Sequence, residues 1–466
     1  MPPYLPHTPE DVQAMLARIG RPALDALFED IPEDVRLRRP LHLDASLTEM
    51  QLSERLESLT ARNTTVSNTT SFLGAGAYDA YIPAAVDALA SRQEFFTAYT
   101  PYQPEISQGT LQALFEYQTE MCSLTGLDVS NASVYDAASA VTEAVRMAIT
   151  QTRAHRVLIA GGLHPGVLRA VRPVLEAVGA QLTVLPLTGL RTGPDAAAAA
   201  LDAEPAGTFA AVVVQSPNFL GAVEEVAGFA RAAAARGALT IQCVMDALSL
   251  AVLRSPGSAG ADIAAGSGQG FGSGLSFGGP SFGFLTAREK LLRRLPGRIV
   301  GESVDVDGRR AYVLTLQARE QHIRREKATS NICSNHSLYA LRAAMYLALV
   351  GPAGLRAIAE SAMRGARELE RGLLSTGLFS RVEEAPFFRE FALHCALPPA
   401  LFHRQMRARG FQPGYDLSGL APEDCPGAPR DAVLFCVTEK TTGEEIRRFV
   451  EAVASVSASR ADGGVR

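Results

Sequence analysis

Five short apolar runs, separated by segments with helical spacing, constrain the fold of this 466-residue chain more than any other feature. The runs are Val157–Ala160, Leu182–Leu187, Ala211–Gln215, Leu239–Met245 and Asp262–Ala265. Two of the intervening segments, His164–Val178 and Val223–Ala235, repeat apolar residues with the period of a helix. Continuous apolar strands that alternate with helices are typical of a parallel sheet covered on both faces. The sequence therefore predicts an α/β fold with a large, mostly parallel sheet and right-handed crossovers.

The segments on either side of this region predict two further parts. Thr8-Pro9-Glu10-Asp11 and Ser46-Leu47-Thr48-Glu49 have the composition of capped helix starts, which predicts a helical N-terminal arm over residues 1–64. Past residue 355, Glu390–Cys395 and Ala432–Val437 read as strands, and each is followed by a helix. We therefore expect an arm at 1–64, a large domain at 65–354 and a small α/β domain at 355–466.

Three segments near the end of the large domain have distinct patterns. The glycine density of Gly266–Gly274 predicts a loop, since so many glycines do not hold a helix or a strand. Thr315–Lys327 predicts a charged helix, in which Glu320 and Arg324 pair at a spacing of four residues. Ser337–Leu349 predicts a long apolar helix.

Composition excludes several classes of function. A net charge of −5 gives no reason to expect binding to nucleic acid or to an anionic membrane. The N-terminus lacks a basic region followed by an apolar one, and no run of about 18 apolar residues occurs, so we expect neither export nor a membrane span. The six cysteines and eight histidines are dispersed, which indicates reduced thiols in a cytoplasmic protein and no metal site.

Several runs of sequence carry a resemblance to a known family. They are Tyr99–Gly109 (YTPYQPEISQG), Asn131–Ala140 (NASVYDAASA), Gln215–Gly221 (QSPNFLG), Leu275–Phe284 (LSFGGPSFGF) and Arg319–Cys333 (REQHIRREKATSNIC). Together with the opening run Pro3–Gly20, they resemble the glycine cleavage system P-protein, over about residues 3–456. In bacteria that divide this protein into two subunits, the chain resembles the first subunit.

The resemblance implies a fold, an activity and partners. It implies the type I fold of transferases that depend on pyridoxal phosphate (PLP), and a complex of two first and two second (β) subunits. Such a complex is an oxidoreductase of glycine catabolism that decarboxylates glycine and transfers the aminomethyl group to lipoamide on the H-protein. The T-protein and the L-protein complete the system, and the resemblance implies that the β subunit holds PLP.

The sequence of this chain also indicates that it has no PLP site of its own. A PLP enzyme requires a lysine, and the chain has only Lys290, Lys327 and Lys440. Counted back from Gly278-Gly279-Pro280, the position of the family's Schiff-base lysine is Gln269, whose amide cannot form an imine.

Two aspartates stand where a PLP site would have its other groups. Asp136 is placed to cap a helix at the expected phosphate cradle, where its charge would repel phosphate. Asp246 ends a strand where such enzymes often place the partner of the cofactor's ring nitrogen. Here we interpret it as an acid that caps the next turn, since no cofactor is expected nearby.

The loop Phe95–Gly109 is the strongest candidate for function. Pro101 and Pro104 disfavour a regular element, and polar loops on rigid scaffolds often carry function. The resemblance implies that this loop approaches the PLP of the partner subunit. In the alternative interpretation, its tyrosines are anchors of the subunit interface. The candidate residues are Tyr99, Tyr102, Gln103, Glu105 and Gln108.

A second candidate segment is Arg319–Cys333. A run of charges like this is by default the solvated face of a helix. The resemblance favours instead a role at the contact between the subunits, with His322 and Arg325 facing a shared cavity. Cys333 is either a buried thiol or a residue near that cavity, and the sequence does not decide between them.

Three other functions remain open from the residues. The chain could be a self-sufficient PLP decarboxylase or aminotransferase that uses a displaced lysine. It could be a non-catalytic scaffold that stabilises a partner or recruits the lipoyl carrier. It could also be an unrelated α/β binding protein, which would require the family-like runs to be coincidental.

Overall fold

The computed structural model describes residue 4 and residues 6–463, with side chains described as far as residue 457. Pro3, at the start of the family-like opening run, lies outside the described residues. The chain divides into two compact units, residues 1–64 and residues 65–466.

The N-terminal unit contains two α-helices, α1 (Pro9–Arg18) and α2 (Glu49–Thr60), with a 3₁₀ turn at Leu24–Phe28 between them. Thr8 caps α1 as predicted, since its hydroxyl accepts the Asp11 backbone N–H and the Asp11 carboxylate accepts the Thr8 N–H. The second capping box lies two residues later than predicted. Thr48 is the cap, and its reciprocal partner is Gln51.

The second unit contains eleven α-helices and fifteen strands within its described residues. The helices are α3 (Ala84–Ala90), α4 (Gln93–Phe96), α5 (Gln108–Thr125), α6 (Ala137–Thr152), α7 (Pro165–Ala177), α8 (Pro194–Asp202), α9 (Val226–Ala235), α10 (Gln321–Arg324), α11 (Ser337–Ser375), α12 (Pro399–Arg407) and α13 (Gly443–Gly463). The strands are β1 (Thr70–Ser71), β2 (Val129–Ser130), β3 (Arg156–Ile159), β4 (Gln181–Val184), β5 (Phe209–Gln215), β6 (Leu239–Val244), β7 (Ile263–Ser267), β8 (Gly283–Ala287), β9 (Ile299–Val304), β10 (Arg310–Thr315), β11 (Phe379–Arg381), β12 (Glu390–Cys395), β13 (Phe411–Gln412), β14 (Tyr415–Asp416) and β15 (Ala432–Cys436). Short 3₁₀ turns lie at Pro104–Ile106, Ala247–Ala251, Glu289–Arg294, Gln317–Arg319, Arg325–Lys327 and Leu417–Gly419.

Seven strands form the large sheet, in the order β2-β8-β7-β6-β5-β3-β4. The five strands from β7 to β4 are parallel, and β8 is antiparallel to both of its neighbours. The prediction of a mostly parallel sheet is therefore confirmed. The chain moves outward from β3 to β4 and then crosses to the other side of β3 to form β5, so the direction of winding reverses between β3 and β5.

Helices cover both faces of this sheet because alternate strand residues point to opposite sides. Val213 packs in the cluster that holds Val145 of α6 and Val171 of α7. Its neighbours Val212 and Val214 pack in the cluster that holds Phe229 of α9. The resulting three layers bury the central strands of the sheet, whereas the edge strand β4 is only partly buried, and the ends of the strands are the place where polar side chains converge.

The smaller sheet has four antiparallel strands in the order β11-β12-β15-β14. The predicted strand Glu390–Cys395 is confirmed, and the other ends one residue earlier than predicted. The predicted apolar helix Ser337–Leu349 is the first part of α11, which continues to Ser375 and is kinked at Gly351, where φ is +61° and Pro352 follows.

Two predictions for local structure are wrong in part. The predicted loop Gly266–Gly274 is confirmed from residue 268 to residue 274, but Gly266 and Ser267 belong to β7. Only glycine fits at position 266, because a Cβ there would lie 1.8 Å from the carbonyl oxygen of Val244 on the neighbouring strand. The predicted helix Thr315–Lys327 is instead the end of β10 followed by a 3₁₀ turn, the four-residue helix α10 and a second 3₁₀ turn. Arg325 interrupts any continuous helix, because its φ is +54°.

Helix α11 is, by length and composition alone, apolar enough to cross a membrane, with a mean hydropathy of 1.4 over 18 residues. Its Tyr346 and Leu347 belong to a core cluster beside the large sheet, and its Leu369 and Leu373 belong to the core of the smaller sheet. A helix that is part of a protein core passes the same test.

Candidate functional site

The carboxyl ends of the central parallel strands border a cleft of about 260 Å³. Its walls include Asp136, His164, Gln269 and Phe282. Such an edge of an α/β sheet is the usual place for a ligand. His164 has no free nitrogen here, since its Nε2 lies 3.0 Å from the Ala75 carbonyl oxygen and its Nδ1 accepts the Gly166 N–H at 3.0 Å. Burial lowers the pKa of His164, which favours a neutral ring.

Gln269 is buried two residues beyond the end of β7, and its amide is fully used by the backbone around it. Its Oε1 accepts the Tyr78 N–H at 3.0 Å. Its Nε2 donates to the carbonyl oxygens of Tyr78 at 2.9 Å and Ser273 at 2.8 Å. Gln269 therefore joins two loops at the rim of the cleft and has no remaining amide hydrogen for a ligand.

Asp136 caps helix α6 as predicted. Its Oδ1 accepts the Ser139 N–H at 2.7 Å, and the side chain is exposed at the wall of the cleft. A helix N-terminus attracts anions through its free N–H groups and its dipole, and here a carboxylate of the chain already occupies that position.

Asp246 caps the turn after β6, as predicted, and it also forms a buried ion pair that the sequence did not predict. Its Oδ1 accepts the Leu248 N–H at 3.2 Å. The guanidinium of Arg389, which is 1% exposed, donates to both carboxylate oxygens, with Nε at 2.6 Å and Nη2 at 2.8 Å. This bidentate contact occupies the acid that would otherwise face a cofactor ring.

Tyr78 and Glu390 extend this buried network. The Tyr78 ring lies 4.2 Å from the centre of the Arg389 guanidinium, and its hydroxyl donates to Glu390 Oε2 at 2.7 Å. The other oxygen of Glu390 accepts the Ala75 N–H at 2.6 Å. Burial raises the pKa of Glu390 to about 7. Each of these polar groups is thus held by the chain itself.

The residues around the cleft do not fit PLP. No lysine lines it among the described residues. Lys290 pairs with Asp262 at 2.8 Å, Lys440 pairs with Asp79 at 2.7 Å, and Lys327 is exposed on a short turn. Lys440 is nearer than its sequence position suggests, because it lines a neighbouring cavity that shares Ala77 and Leu275 with the cleft. Its partner Asp79 nevertheless holds it outside. The described residues also contain no cluster able to hold a metal ion.

The candidate loop lies apart from these buried contacts and is irregular from residue 97 to residue 103, as predicted. The ends of the predicted segment are regular instead, since Phe95 and Phe96 belong to α4 and Gln108 and Gly109 begin α5. Tyr99 is 80% exposed and Tyr102 is 51% exposed. Gln103 and Glu105 are exposed as well. Gln108 instead anchors the loop, because its amide accepts the Tyr312 N–H at 2.8 Å and donates to the Tyr312 carbonyl at 2.9 Å.

Tyr102 connects the loop to the body of the domain through Arg298. Its hydroxyl accepts a hydrogen bond from Arg298 Nη2 at 2.7 Å, and its ring lies 5.3 Å from the centre of the guanidinium. Arg298 is only 3% exposed. The exposed loop is therefore backed by a buried cation.

The short segment Leu295–Arg298 brings the family-like runs together. Asn131 Nδ2 donates to the Pro296 carbonyl at 3.0 Å, and the Ala132 N–H donates to the Arg298 carbonyl at 2.8 Å. Arg319 donates to the carbonyls of Leu295 and, at 2.7 Å, Gly297. The start of the fifth run, through Arg319, and the start of the second run, through Asn131 and Ala132, thus meet at the segment that ends in Arg298, which Tyr102 contacts.

His322 and Arg325 are both exposed on the short turns after β10. Oε2 of Glu320 lies 3.7 Å from Nδ1 of His322. The predicted pair of Glu320 with Arg324 does not form among the described residues. Cys333 is exposed, which excludes a buried thiol, and its N–H donates to the Tyr135 hydroxyl at 3.3 Å. No direct contact joins His322 or Arg325 to the candidate loop in the described part of the chain.

Sequence reasoning missed Arg389, Tyr78 and Arg298. The partners Asp246 and Arg389 are 143 residues apart, and no local pattern connects them. A signal for Arg389 does exist, since a charged residue between Phe388 and a predicted apolar strand is placed to be buried. Arg298 follows Pro296-Gly297, which reads only as a turn.

Comparisons with known proteins identify the family. The model of the glycine cleavage system P-protein family matches residues 2–453. A Desulforamulus reducens protein named probable glycine dehydrogenase (decarboxylating) subunit 1 is 46% identical over 455 residues, which cover 97% of this chain and 100% of the relative. The Moorella thermoacetica protein of the same name is 46% identical, over 98% of this chain and 100% of the relative.

Solved structures agree with this assignment. A crystal structure of glycine decarboxylase (P-protein) of the glycine cleavage system, in inhibitor-bound form, has 44% identity and a TM-score of 0.83, and it covers 97% of this chain and 99% of that chain. Glutamate decarboxylase from Lactobacillus brevis, at 12% identity, has a TM-score of 0.68 over 93% of this chain and 97% of its own, which shows the fold alone. The predicted PLP-dependent type I fold is confirmed. The chain belongs to the glycine cleavage system P-protein family.

Proposed function

We propose that this chain is the first subunit of a two-subunit glycine dehydrogenase (decarboxylating) of the glycine cleavage system. The observation that carries the proposal is the match, over the full length of each relative, to proteins named as subunit 1 of that enzyme. The name implies a second subunit, and we propose that the two form a complex of two copies each, in the cytoplasm. The complex decarboxylates glycine and transfers the aminomethyl group to lipoamide on the H-protein, and the T-protein and L-protein complete the system.

PLP, in this proposal, is held by the second subunit alone. Gln269 stands at the proposed lysine position, and its amide is hydrogen bonded to the backbone on both sides. Arg389 occupies the carboxylate of Asp246, and Asp136 occupies the helix N-terminus. These contacts support a cleft that is a structural part of this chain rather than a cofactor site.

The contribution of this chain to the chemistry is positioning and exclusion of water. The exposed residues Tyr99, Gln103 and Glu105 lie on a loop that Gln108 and Tyr102 hold at defined points. We propose that this loop covers glycine at the site on the partner. A fixed polar loop can orient the bond that breaks and keep solvent out, and such positioning is a large part of catalysis. We place His322, Arg325 and Cys333 at the edge of the same contact.

The test is reconstitution of this chain with the candidate second subunit. Each chain is purified alone, the two are co-expressed, and glycine–CO2 exchange and native mass are measured for all three samples. The expected result is a complex of two copies of each chain, with exchange that requires both. A complex in which the second chain alone retains full exchange would contradict a catalytic role and would support a scaffold. PLP absorbance and exchange in the first chain alone would support a self-sufficient enzyme.

A further inference from the structure

Arg298 is a buried cation that lacks a counter-ion among the described residues. Two arginines are buried in the described part of the chain, Arg298 at 3% and Arg389 at 1% exposure. Arg389 has a bidentate carboxylate partner in Asp246. The guanidinium of Arg298 makes one hydrogen bond, from Nη2 to the neutral hydroxyl of Tyr102. Its Nε is buried with no hydrogen-bond partner.

This arrangement is unfavourable unless an anion comes from outside the chain. Burial of a charge without a partner costs several kcal/mol, and proteins pair almost all of their buried ions. Arg319, which lies close by, donates to two backbone carbonyls, although its Nε is also buried without a hydrogen-bond partner. No carboxylate lies within ion-pair distance of Arg298 among the described residues, Glu105 of the candidate loop included. The site is therefore incomplete in this chain.

The backbone of Arg298 is held more firmly than a surface residue would be. Hydrogen bonds from Asn131, Ala132 and Arg319 fix the carbonyls of residues 295–298, and β9 begins at the next residue, Ile299. Tyr102 then orients the guanidinium from the side of the candidate loop. A prepositioned donor of this kind is what a binding site requires, because little freedom is lost when the ligand arrives.

We propose that Arg298 binds the carboxylate of the amino-acid substrate at the site shared with the second subunit. This inference rests on the proposed function and extends it by naming a residue for substrate recognition. A planar guanidinium with an unused edge matches a planar carboxylate. A phosphate is more often held by the free N–H groups at the start of a helix, and no helix begins at Arg298.

The experiment compares Arg298→Gln and Arg298→Lys with wild type in the complex of both subunits. The measurements are KM and kcat for glycine–CO2 exchange, the affinity for glycine and for methylamine from the change in PLP absorbance, PLP content and native mass. Methylamine has the amine of glycine and no carboxylate. Arg309→Gln is the matched control, because Arg309 is 78% exposed at the tip of the β9–β10 hairpin.

In Arg298→Gln, the affinity for glycine should fall about tenfold or more, since a charge-assisted hydrogen bond is lost. The affinity for methylamine, the PLP content and the native mass should be unchanged, and Arg298→Lys should recover part of the glycine affinity.

Equal weakening of the affinities for glycine and methylamine, or an unchanged KM for glycine, would overturn the proposal. Loss of PLP would identify the cofactor phosphate as the anion, and loss of assembly in both variants would identify an acid of the partner. Absence of exchange in the wild-type complex would instead contradict the proposed function.

Discussion

The cleft around Gln269 and the candidate loop around Tyr102 differ in where their polar groups find partners. In the cleft, the amide of Gln269 and both nitrogens of His164 are held by this chain, and so are the carboxylates of Asp246 and Glu390 in the buried network that Tyr78 connects to Gln269. Around the loop, Tyr99 and Gln103 are exposed, and Arg298 behind them lacks a counter-ion among the described residues. The charged groups of the cleft region are therefore paired within one chain, whereas the buried cation behind the loop is not.

The comparison teaches that position in a fold does not by itself identify a working site. The cleft has the place and the size of a ligand site, at the carboxyl ends of parallel strands. The side chains of Gln269, His164, Asp246 and Glu390 find their partners within the chain, which makes this region a source of stability, although the Ser281 hydroxyl and Nη1 of Arg389 are buried without a hydrogen-bond partner. The loop has no large cavity of its own, but it carries the groups that a partner or substrate would satisfy. Substitutions in the cleft should change stability, and those at the loop should change rate.

The largest expected effect is in the cleft. Arg389→Met leaves the Asp246 carboxylate buried without its cation, so the free energy of unfolding should fall by about 3–5 kcal/mol. Urea unfolding of the isolated chain measures this change. The double variant Arg389→Met/Asp246→Leu should recover part of the loss, and the exposed Arg309→Met should change little. A loss below about 1 kcal/mol in Arg389→Met would show that the pair is not structural.

Gln269→Lys tests the cleft by restoring a lysine. The free energy of unfolding should fall by about 2–3 kcal/mol, because the Tyr78 N–H loses its acceptor and two carbonyls lose an amide donor. Borohydride reduction in the presence of PLP should give no adduct at residue 269, since Arg389 and Asp136 still occupy the other positions. The exposed Gln112→Lys is the control for stability. An adduct at residue 269 would show that the missing lysine was the only obstacle.

Glu390 predicts a pH dependence of stability in the cleft. Its pKa of about 7 in the folded chain lies above the ordinary value of 4.5, so the folded state binds more protons between these pH values. Its contribution is therefore most favourable below about pH 4.5 and is lost as the pH rises to about 7. Glu390→Gln should remove this dependence and raise stability at pH 8 by on the order of 2 kcal/mol relative to wild type. Parallel stability–pH curves for the two proteins would contradict the assignment.

The smallest effect in free energy is expected at the loop, where it appears as a rate. Tyr102→Phe or Gln103→Ala should lower glycine–CO2 exchange by about tenfold or more, which corresponds to about 1.4 kcal/mol of transition-state stabilisation. PLP content and native mass should stay the same in both variants, and the urea midpoint of this chain should stay the same in Gln103→Ala. Wild-type exchange in both variants would make the loop structural. Dissociation of the complex would make Tyr102 an interface anchor.

The sequence predicted those parts of the fold that depend on local pattern. The structure confirms the five apolar runs, the cap at Thr8 and the strand Glu390–Cys395. Each of these features is specified by residues that are close together in the sequence. Thr315–Lys327 has a helical charge pattern and still forms separate turns, because Arg319 is used to hold the carbonyls of Leu295 and Gly297. Tertiary contacts outweigh local preference at that point.

The candidate site was predictable in part for the same reason. Irregular backbone in the loop, the cap at Asp136 and the absence of an available lysine follow from nearby residues or from a count. The pair Asp246–Arg389 and the contact Tyr102–Arg298 join residues 143 and 196 positions apart, so only the folded chain shows them. The roles of Tyr99, Gln103, Glu105, His322 and Arg325 remain predictions.

The central claim is that this chain takes part in the reaction and holds no PLP. The most direct test is borohydride reduction of the reconstituted complex with PLP, followed by peptide mapping of both chains. The account predicts a modified lysine in the second chain only, in a complex whose exchange activity requires this chain. A modified peptide that contains Lys290, Lys327 or Lys440 would contradict it.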